Sequence, residues 1–229
     1  MRALLAPYDK TGLVDLARGL LELGVEIFST GGTEETLKGA GLAVRPVQDI
    51  TGFPEMLGGR VKTLHPAIHA GILARRGEPH DMEEMEQHGF QPIDIVVCNL
   101  YPFVQTIQAP DVTREAAIEN IDIGGVTLLR AAAKNYEDVV VVCDPTDYPA
   151  LMDELRRPSG ELFPRRRLPG NYYPNGSSCI WHADAERTAT SHDVNGLPVA
   201  IVPFRFKCLH GQSRGCFGNA DLDPRRERQ

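Results

Sequence analysis

Over residues 1–157, short apolar runs alternate with amphipathic stretches of helical period, and this alternation leaves few folds open. The runs at 3–6, 25–28, 43–47, 93–98 and 139–143 are mostly rich in β-branched residues, as strands covered on both faces are. Between the first two, residues 11–23 carry Leu13, Leu16, Ala17, Leu20 and Leu21 at helical spacing and close at Gly24, a residue that ends helices well. Residues 33–40, 81–88, 113–120, 126–134 and 148–156 read as further helices. Strands that alternate with helices pair in parallel through right-handed crossovers. The expected class is therefore α/β, with ligands at the carboxyl ends of the strands. That directs attention to the loops at 6–11, 29–33, 49–66, 99–103 and 144–147.

After residue 157 the regularity fails. Residues 158–229 hold 7 of the 17 prolines, 3 of the 5 cysteines and the only tryptophan, Trp181. A strand at 197–206, interrupted by Pro198 and Pro203, is the one element suggested there. Charge changes sign at the same place: residues 1–157 carry −10 and residues 158–229 carry +3, within a total of −7. The chain thus divides into a domain at 1–157 and an irregular tail at 158–229. The net negative charge offers nucleic acid no general attraction. No apolar run has the length of a membrane span, and the first ten residues are too short in apolar character for a signal peptide. A cytoplasmic location is expected, and Cys98 and Cys143, each ending an apolar run, read as buried free thiols. Cys208, His210 and Cys216 match no common zinc module, so no metal is expected.

The chemistry-bearing segments lie in the loops. Gly58-Gly59-Arg60-Val61-Lys62-Thr63-Leu64-His65-Pro66 places two cations, a hydroxyl and an imidazole between a Gly-Gly pair and a proline. Glycines permit unusual backbone angles and the residue before proline avoids the helical region, so this is a constrained loop presenting cations to an anion. His65 reads equally well as a general acid and as a structural hydrogen-bonder. Ser29-Thr30-Gly31-Gly32-Thr33 follows one strand and opens a helix, the setting in which free amides and hydroxyls hold phosphate. Lys10, at the rim of the first strand, adds a cation where the helix dipole disfavours one. Asn99-Leu100-Tyr101-Pro102-Phe103 brings a polar Asn and a phenol to the fourth strand's end, although packed aromatics would give the same pattern. Asp122-Ile123-Gly124-Gly125 is a second Gly-Gly helix start, here with a carboxylate beside it, and suggests an oxyanion site of backbone amides. Lys134, near that helix's end, also suits simple dipole complementation.

Taken together, Lys10-Thr11-Gly12, the segments at 29–33, 51–57, 58–66, 69–75, 99–103 and 121–135 resemble the IMP cyclohydrolase domain of the bifunctional purine biosynthesis proteins, which also carry AICAR transformylase. The resemblance runs from about residue 2 to 157. It implies a methylglyoxal-synthase-like fold, a five-stranded parallel sheet between helices in three layers. It implies dehydrative closure of 5-formamido-imidazole-4-carboxamide ribotide to IMP, a homodimer, and no cofactor. By position, Lys10, Thr30, Gly31, Gly32 and Thr33 match the family's 5′-phosphate site. Arg60, Thr63, Asn99, Ile123, Gly124 and Gly125 match substrate-contacting positions, and Lys62, Tyr101, Asp122 and Lys134 match the catalytic groups. A proton relay between Asp122 and Lys134 is expected, with Lys62 and Tyr101 at the leaving oxygen.

Two departures stand out. Ala6-Pro7-Tyr8 replaces a serine-rich start, which removes a hydroxyl near the phosphate. The tail shows neither the helices that complete the domain in the family nor the transformylase. A frameshifted read-through is the expected origin, ahead of a natural extension or a small interaction module. Methylglyoxal synthase itself, a regulatory nucleotide-sensing domain of the same fold and an inactive nucleotide-binding remnant are the rival readings. The joint presence of Lys62, Tyr101, Asp122 and Lys134 favours the enzyme.

Overall fold

The computed structural model describes residues 1–101 and 103–156, and beyond them the backbone of four short strands. In chain order the domain comprises β1 (Arg2–Leu5), α1 (Leu13–Glu22), β2 (Glu26–Ser29), α2 (Gly31–Gly39), β3 (Arg45–Pro46), α3 (Gln48–Thr51), α4 (Pro66–Leu73), α5 (Pro79–Gln87), β4 (Ile95–Val97), α6 (Phe103–Ile107), α7 (Arg114–Glu119), α8 (Gly124–Lys134), β5 (Val140–Val142) and α9 (Tyr148–Leu155). The strands form one parallel sheet in the order β3-β2-β1-β4-β5. The direction of winding reverses between β1 and β4, which makes that gap the topological switch point where such sheets bind ligands.

The central strands β1, β2 and β4 bury both faces, which explains their apolar runs. Ala3, Leu5, Ile27, Ile95, Val97 and Val142 pack with Leu13, Leu16 and Leu20 of α1 and Leu151 of α9. Leu4, Phe28 and Val96 face the other way and pack with Ile68 and Ile72 of α4 and Leu128, Leu129 and Ala132 of α8. The expected three layers are these two helix sets and the sheet between them. Phe28 is almost wholly buried, and the guanidinium groups of Arg2 and Arg45 lie 5.3 and 5.1 Å from its ring centre, within cation–π range.

Helix α4 lies in a segment with no expected helix. Ala67, Ile68, Gly71 and Ile72 are buried, and apart from His69 the remaining residues are apolar too, so the sequence lacks the polar face that gives a helical period. Pro66 opens it at the first turn, where a missing N–H costs nothing. A Cβ at Gly71 would stand 2.8 Å from the Gln91 carbonyl oxygen, so the absent side chain lets α4 lie against the backbone leading to β4. Asn135 closes the far end of this layer, its Nδ2 donating to the carbonyls of Ile72 and Ala74 at 2.8 and 3.0 Å.

In the tail, β6 (Ser177–Ile180) pairs antiparallel with β9 (Lys207–His210), and β7 (Thr190–Val194) with β8 (Leu197–Ile201). The first half of the strand expected at 197–206 coincides with β8; its remainder, with Trp181 and Cys216, lies outside the described residues. Among the described residues no helix is long and apolar enough to cross a membrane.

Candidate active site

The carboxyl edge of the sheet is tied together by side-chain bonds to the loop after β1. At the switch point, Asn99 accepts from the Asp9 amide through Oδ1 at 2.8 Å and donates to the Asp9 carbonyl through Nδ2 at 3.2 Å. This double bond fixes the β1 loop to β4. Asp9 in turn accepts from the Thr11 amide and hydroxyl at 2.9 and 2.7 Å, and these bonds hold its carboxyl below the usual range. Lys10 Nζ donates to the Tyr8 carbonyl at 3.2 Å. From β2, the buried hydroxyl of Ser29 donates to the Leu5 carbonyl at 2.7 Å. The buried Thr33 hydroxyl donates to the Pro7 carbonyl at 3.0 Å. Buried polar groups find partners, and here the partners are main-chain oxygens of β1 and its loop.

The Gly58-Gly59 segment reverses the chain. Leu57, Gly58 and Gly59 have φ of 53°, 64° and 92° in succession, a left-handed run that glycine tolerates and leucine resists. Met56 and Val61 bridge antiparallel across the turn. Lys62 is thereby folded back over the start of α2: a Cβ on Gly31 would meet Lys62 Nζ at 2.8 Å, and one on Gly59 would meet Lys62 Cε at 2.5 Å. Glu55 Oε1 lies 3.2 Å from Lys62 Nζ. The ammonium thus occupies the positive end of the α2 dipole with one carboxylate as counter-ion, a position whose charge suits an incoming anion. It shares a hollow with Thr30, Val47, Gln48, Phe53 and Glu55. Arg60 points elsewhere and forms a two-pronged ion pair with Glu119 of α7, Nε to Oε1 at 3.1 Å and the second prong through Nη2 and Oε2. His65 caps α4, its Nδ1 accepting from the Ala67 amide at 3.2 Å. Of its two readings, the structural one is the one formed.

Thr63, next to Lys62, is buried against the other Gly-Gly helix start. A Cβ on Gly124 would stand 3.0 Å from Thr63 Oγ1. Asp122 accepts from the Gly125 amide at 2.7 Å, and a Cβ on Gly125 would collide with Asp122 Oδ2 at 2.5 Å. Burial raises the Asp122 carboxyl above its ordinary range, opposed by the Gly125 and Tyr101 N–H groups. Burial, with the Asp122 charge, pushes the Cys98 thiol up to about 12, so it is inert as a nucleophile at neutral pH. Tyr101 is half-exposed, and its ring lies 4.8 Å from that of Tyr8, tilted by 50°.

Residues 12–127 match the MGS-like domain family. The chain belongs to that family. The bifunctional purine biosynthesis protein PurH of Chloroflexus aurantiacus is 58% identical over 168 residues, which cover 73% of this chain and 33% of the relative. PurH of Lacticaseibacillus casei is also 58% identical, over 161 residues covering 70% and 32%. The chain spans about a third of the length of these curated relatives. The crystal structure of ForH aligns with a TM-score of 0.60 at 41% identity, over 68% of this chain and 78% of its own.

On this MGS-like scaffold, Thr30, Gly31, Gly32, Lys62, Thr63, Tyr101, Asp122, Ile123, Gly124 and Gly125 all stand at the carboxyl edge of the sheet or on the loop that crosses it. Lys10 stands at that edge as well, but in a neighbouring cleft with Tyr8, Asp9, Asn99, Leu100, Cys143, Asp144 and Pro145. The Thr33 hydroxyl bond to the Pro7 carbonyl ties the loop that carries Lys10 to the α2 start. The side chains of Thr33 and Asn99 are turned to main-chain partners and shape the edge. Lys134 is placed apart. It is the last residue of α8, ten residues beyond Gly124, and a rise of 1.5 Å per residue puts it roughly 15 Å along the axis from the helix start. The expected Asp122–Lys134 relay is therefore not formed within one chain, because the unbroken helix holds the two at opposite edges. Glu55, Glu119 and Tyr8 were not foreseen as site residues. Tyr8 alone carried a signal, as a departure from the family pattern.

Proposed function

We propose that this domain closes 5-formamido-imidazole-4-carboxamide ribotide to IMP with loss of water. The observation that carries the reading is the placement of Lys62 and Thr63. Consecutive residues touch the N-termini of two helices, α2 through Gly31 and α8 through Gly124. One short segment thus joins two amide clusters that favour negative charge. The 58% identity to PurH supports the same reading.

In this reading the 5′-phosphate binds the α2 amides at Thr30–Gly32, with Lys62 beside them and Lys10 reaching in from the adjacent cleft. The formyl and carboxamide groups lie at the α8 start. Holding both groups of one molecule in cyclising geometry supplies much of the rate. The carboxamide nitrogen attacks the formyl carbon and its proton passes to Asp122, a carboxylate that burial makes a stronger base than an exposed one. Gly125 N–H is already bonded to Asp122, so the developing oxyanion takes the amides of Gly124 and Val126. Lys62 and the Tyr101 phenol then supply the two protons with which that oxygen leaves as water, and the formamido N–H proton is lost as the ring C=N bond forms to that nitrogen, the carboxamide nitrogen keeping its remaining hydrogen. Arg60 reaches substrate only by leaving Glu119.

The Asp122 assignment makes a pH prediction. A carboxyl raised by burial must ionise to act as base, so kcat falls as pH drops through a value above the ordinary carboxylate range. Asp122→Asn is expected to lower plateau kcat by about 10²-fold or more and to abolish that acid limb. An unchanged limb in this variant would remove Asp122 from the role. A homodimer belongs to the same reading, supported by the exposed Leu57, Ile118, Ile121 and Ile123 around the site, and so does a cytoplasmic location.

A further inference from the structure

Tyr8 stands at the site with a side chain that has no role in the chemistry above. Its ring and that of Tyr101 lie 4.8 Å apart at 50°, inside the range in which aromatic pairs attract. Tyr8 is 47% exposed and Tyr101 48%, so neither is held by burial. An isolated half-exposed tyrosine samples several rotamers, and a neighbouring ring selects among them.

The backbone of Tyr8 is held far better than its side chain. Its amide donates to the Asn99 carbonyl at 3.4 Å and its carbonyl accepts from Lys10 at 3.2 Å. The next residue, Asp9, is gripped by Asn99 through both polar groups of the amide. Tyr8 therefore stands on a fixed post at the switch point, and its ring leans on a phenol that emerges two residues after Asn99. The Tyr101 main chain is fixed from the other side by Asp122. Only the Tyr101 side chain is left to be oriented, and Tyr8 is the ring that touches it.

We propose that Tyr8 is a positioning residue: its ring orients the Tyr101 phenol at the carboxyl edge of the sheet. The inference rests on the cyclisation reading only for the effect on rate; the pairing itself does not depend on it. Because the ring and not the hydroxyl makes the contact, phenylalanine should serve at position 8 and alanine should not.

The experiment compares the full chain with Tyr8→Phe and Tyr8→Ala, each in wild-type and Tyr101→Phe backgrounds. Turnover of the formylated ribotide is read as kcat and KM separately, and ring resonances are read by NMR after 13C-tyrosine labelling. Tyr8→Ala is expected to lower kcat about tenfold with KM changed less than twofold, and Tyr8→Phe to stay within twofold of wild type. In the Tyr101→Phe background Tyr8→Ala should add little, as coupled residues behave. The Tyr101 ring signals should shift and sharpen in Tyr8→Ala and not in Tyr8→Phe. A raised KM with unchanged kcat would overturn the proposal, showing Tyr8 to touch ligand directly, and so would unmoved Tyr101 signals in Tyr8→Ala. Absence of turnover in the unaltered chain would sink the cyclisation reading instead, and the NMR comparison would still decide the pairing.

Discussion

Lys62→Ala should lower kcat by about 10²–10³-fold, the loss typical of removing one charged donor from a site of developing charge. Lys62 is the cation that the Gly58-Gly59 reversal delivers to the α2 start, within 2.8 Å of where a Gly31 Cβ would be. Its pairing with Glu55 at 3.2 Å is between partly exposed side chains, and such pairs contribute little to stability. The variant should therefore unfold within a few degrees of wild type while losing turnover. Lys62→Arg should recover little, because a longer, planar guanidinium does not place its charge where the compact ammonium stands between Gly31 and Gly59. Stopped-assay kinetics with parallel thermal unfolding measure both quantities. A Lys62→Ala variant with wild-type kcat would take the lysine out of the chemistry. One that failed to fold would show Lys62 to be structural.

The largest stability effect is expected at Phe28. Phe28→Ala should cost about 3–5 kcal/mol, the range for removing a buried aromatic ring and leaving its cavity. The ring is 1% exposed and belongs to the cluster with Leu4, Ile68, Ile72 and Leu128. It also lies near the guanidinium groups of Arg2 and Arg45 at 5.3 and 5.1 Å, so the variant loses cation–π contacts as well as packing. Ser29 and the start of α2 follow at once in the chain, so the phosphate end of the site should loosen with the core. Urea unfolding reads the change as a lower midpoint at similar slope. A loss below about 1 kcal/mol would mean that the neighbouring aliphatic side chains close the cavity.

The sheet was legible because burial on both faces writes itself into sequence as apolar, β-branched runs. What shifted were edges. The run at 43–47 yields only Arg45–Pro46 as strand, since Pro46 has no N–H for a ladder and the strand is at the sheet's edge. Helix α4 is not legible because its sequence is apolar on nearly every side, His69 apart, so no polar face marks a helical period. At the site, the two Gly-Gly helix starts and the cationic loop were legible as local patterns. Their partners were not. Glu119 pairs with Arg60 across 59 positions, and nothing in either neighbourhood announces it. The hydroxyl of Thr33 and the amide of Asn99 were recognised as polar groups at the right edge, but only the fold shows that Pro7 and Asp9 main-chain atoms engage them. For Lys134, helix length alone could have warned that a residue ten positions beyond Gly124 stands at the other end of α8.

A working cyclisation site at the carboxyl edge built by α2, α8 and Lys62 must turn over the ribotide in this chain. The most direct measurement is absorbance-monitored conversion of 5-formamido-imidazole-4-carboxamide ribotide by the purified full chain, with product identified as IMP. IMP should form at a rate proportional to protein concentration, and its formation should be lost in Lys62→Ala. Binding of IMP with no conversion of the ribotide would contradict it, leaving a site that holds the nucleotide without closing its ring.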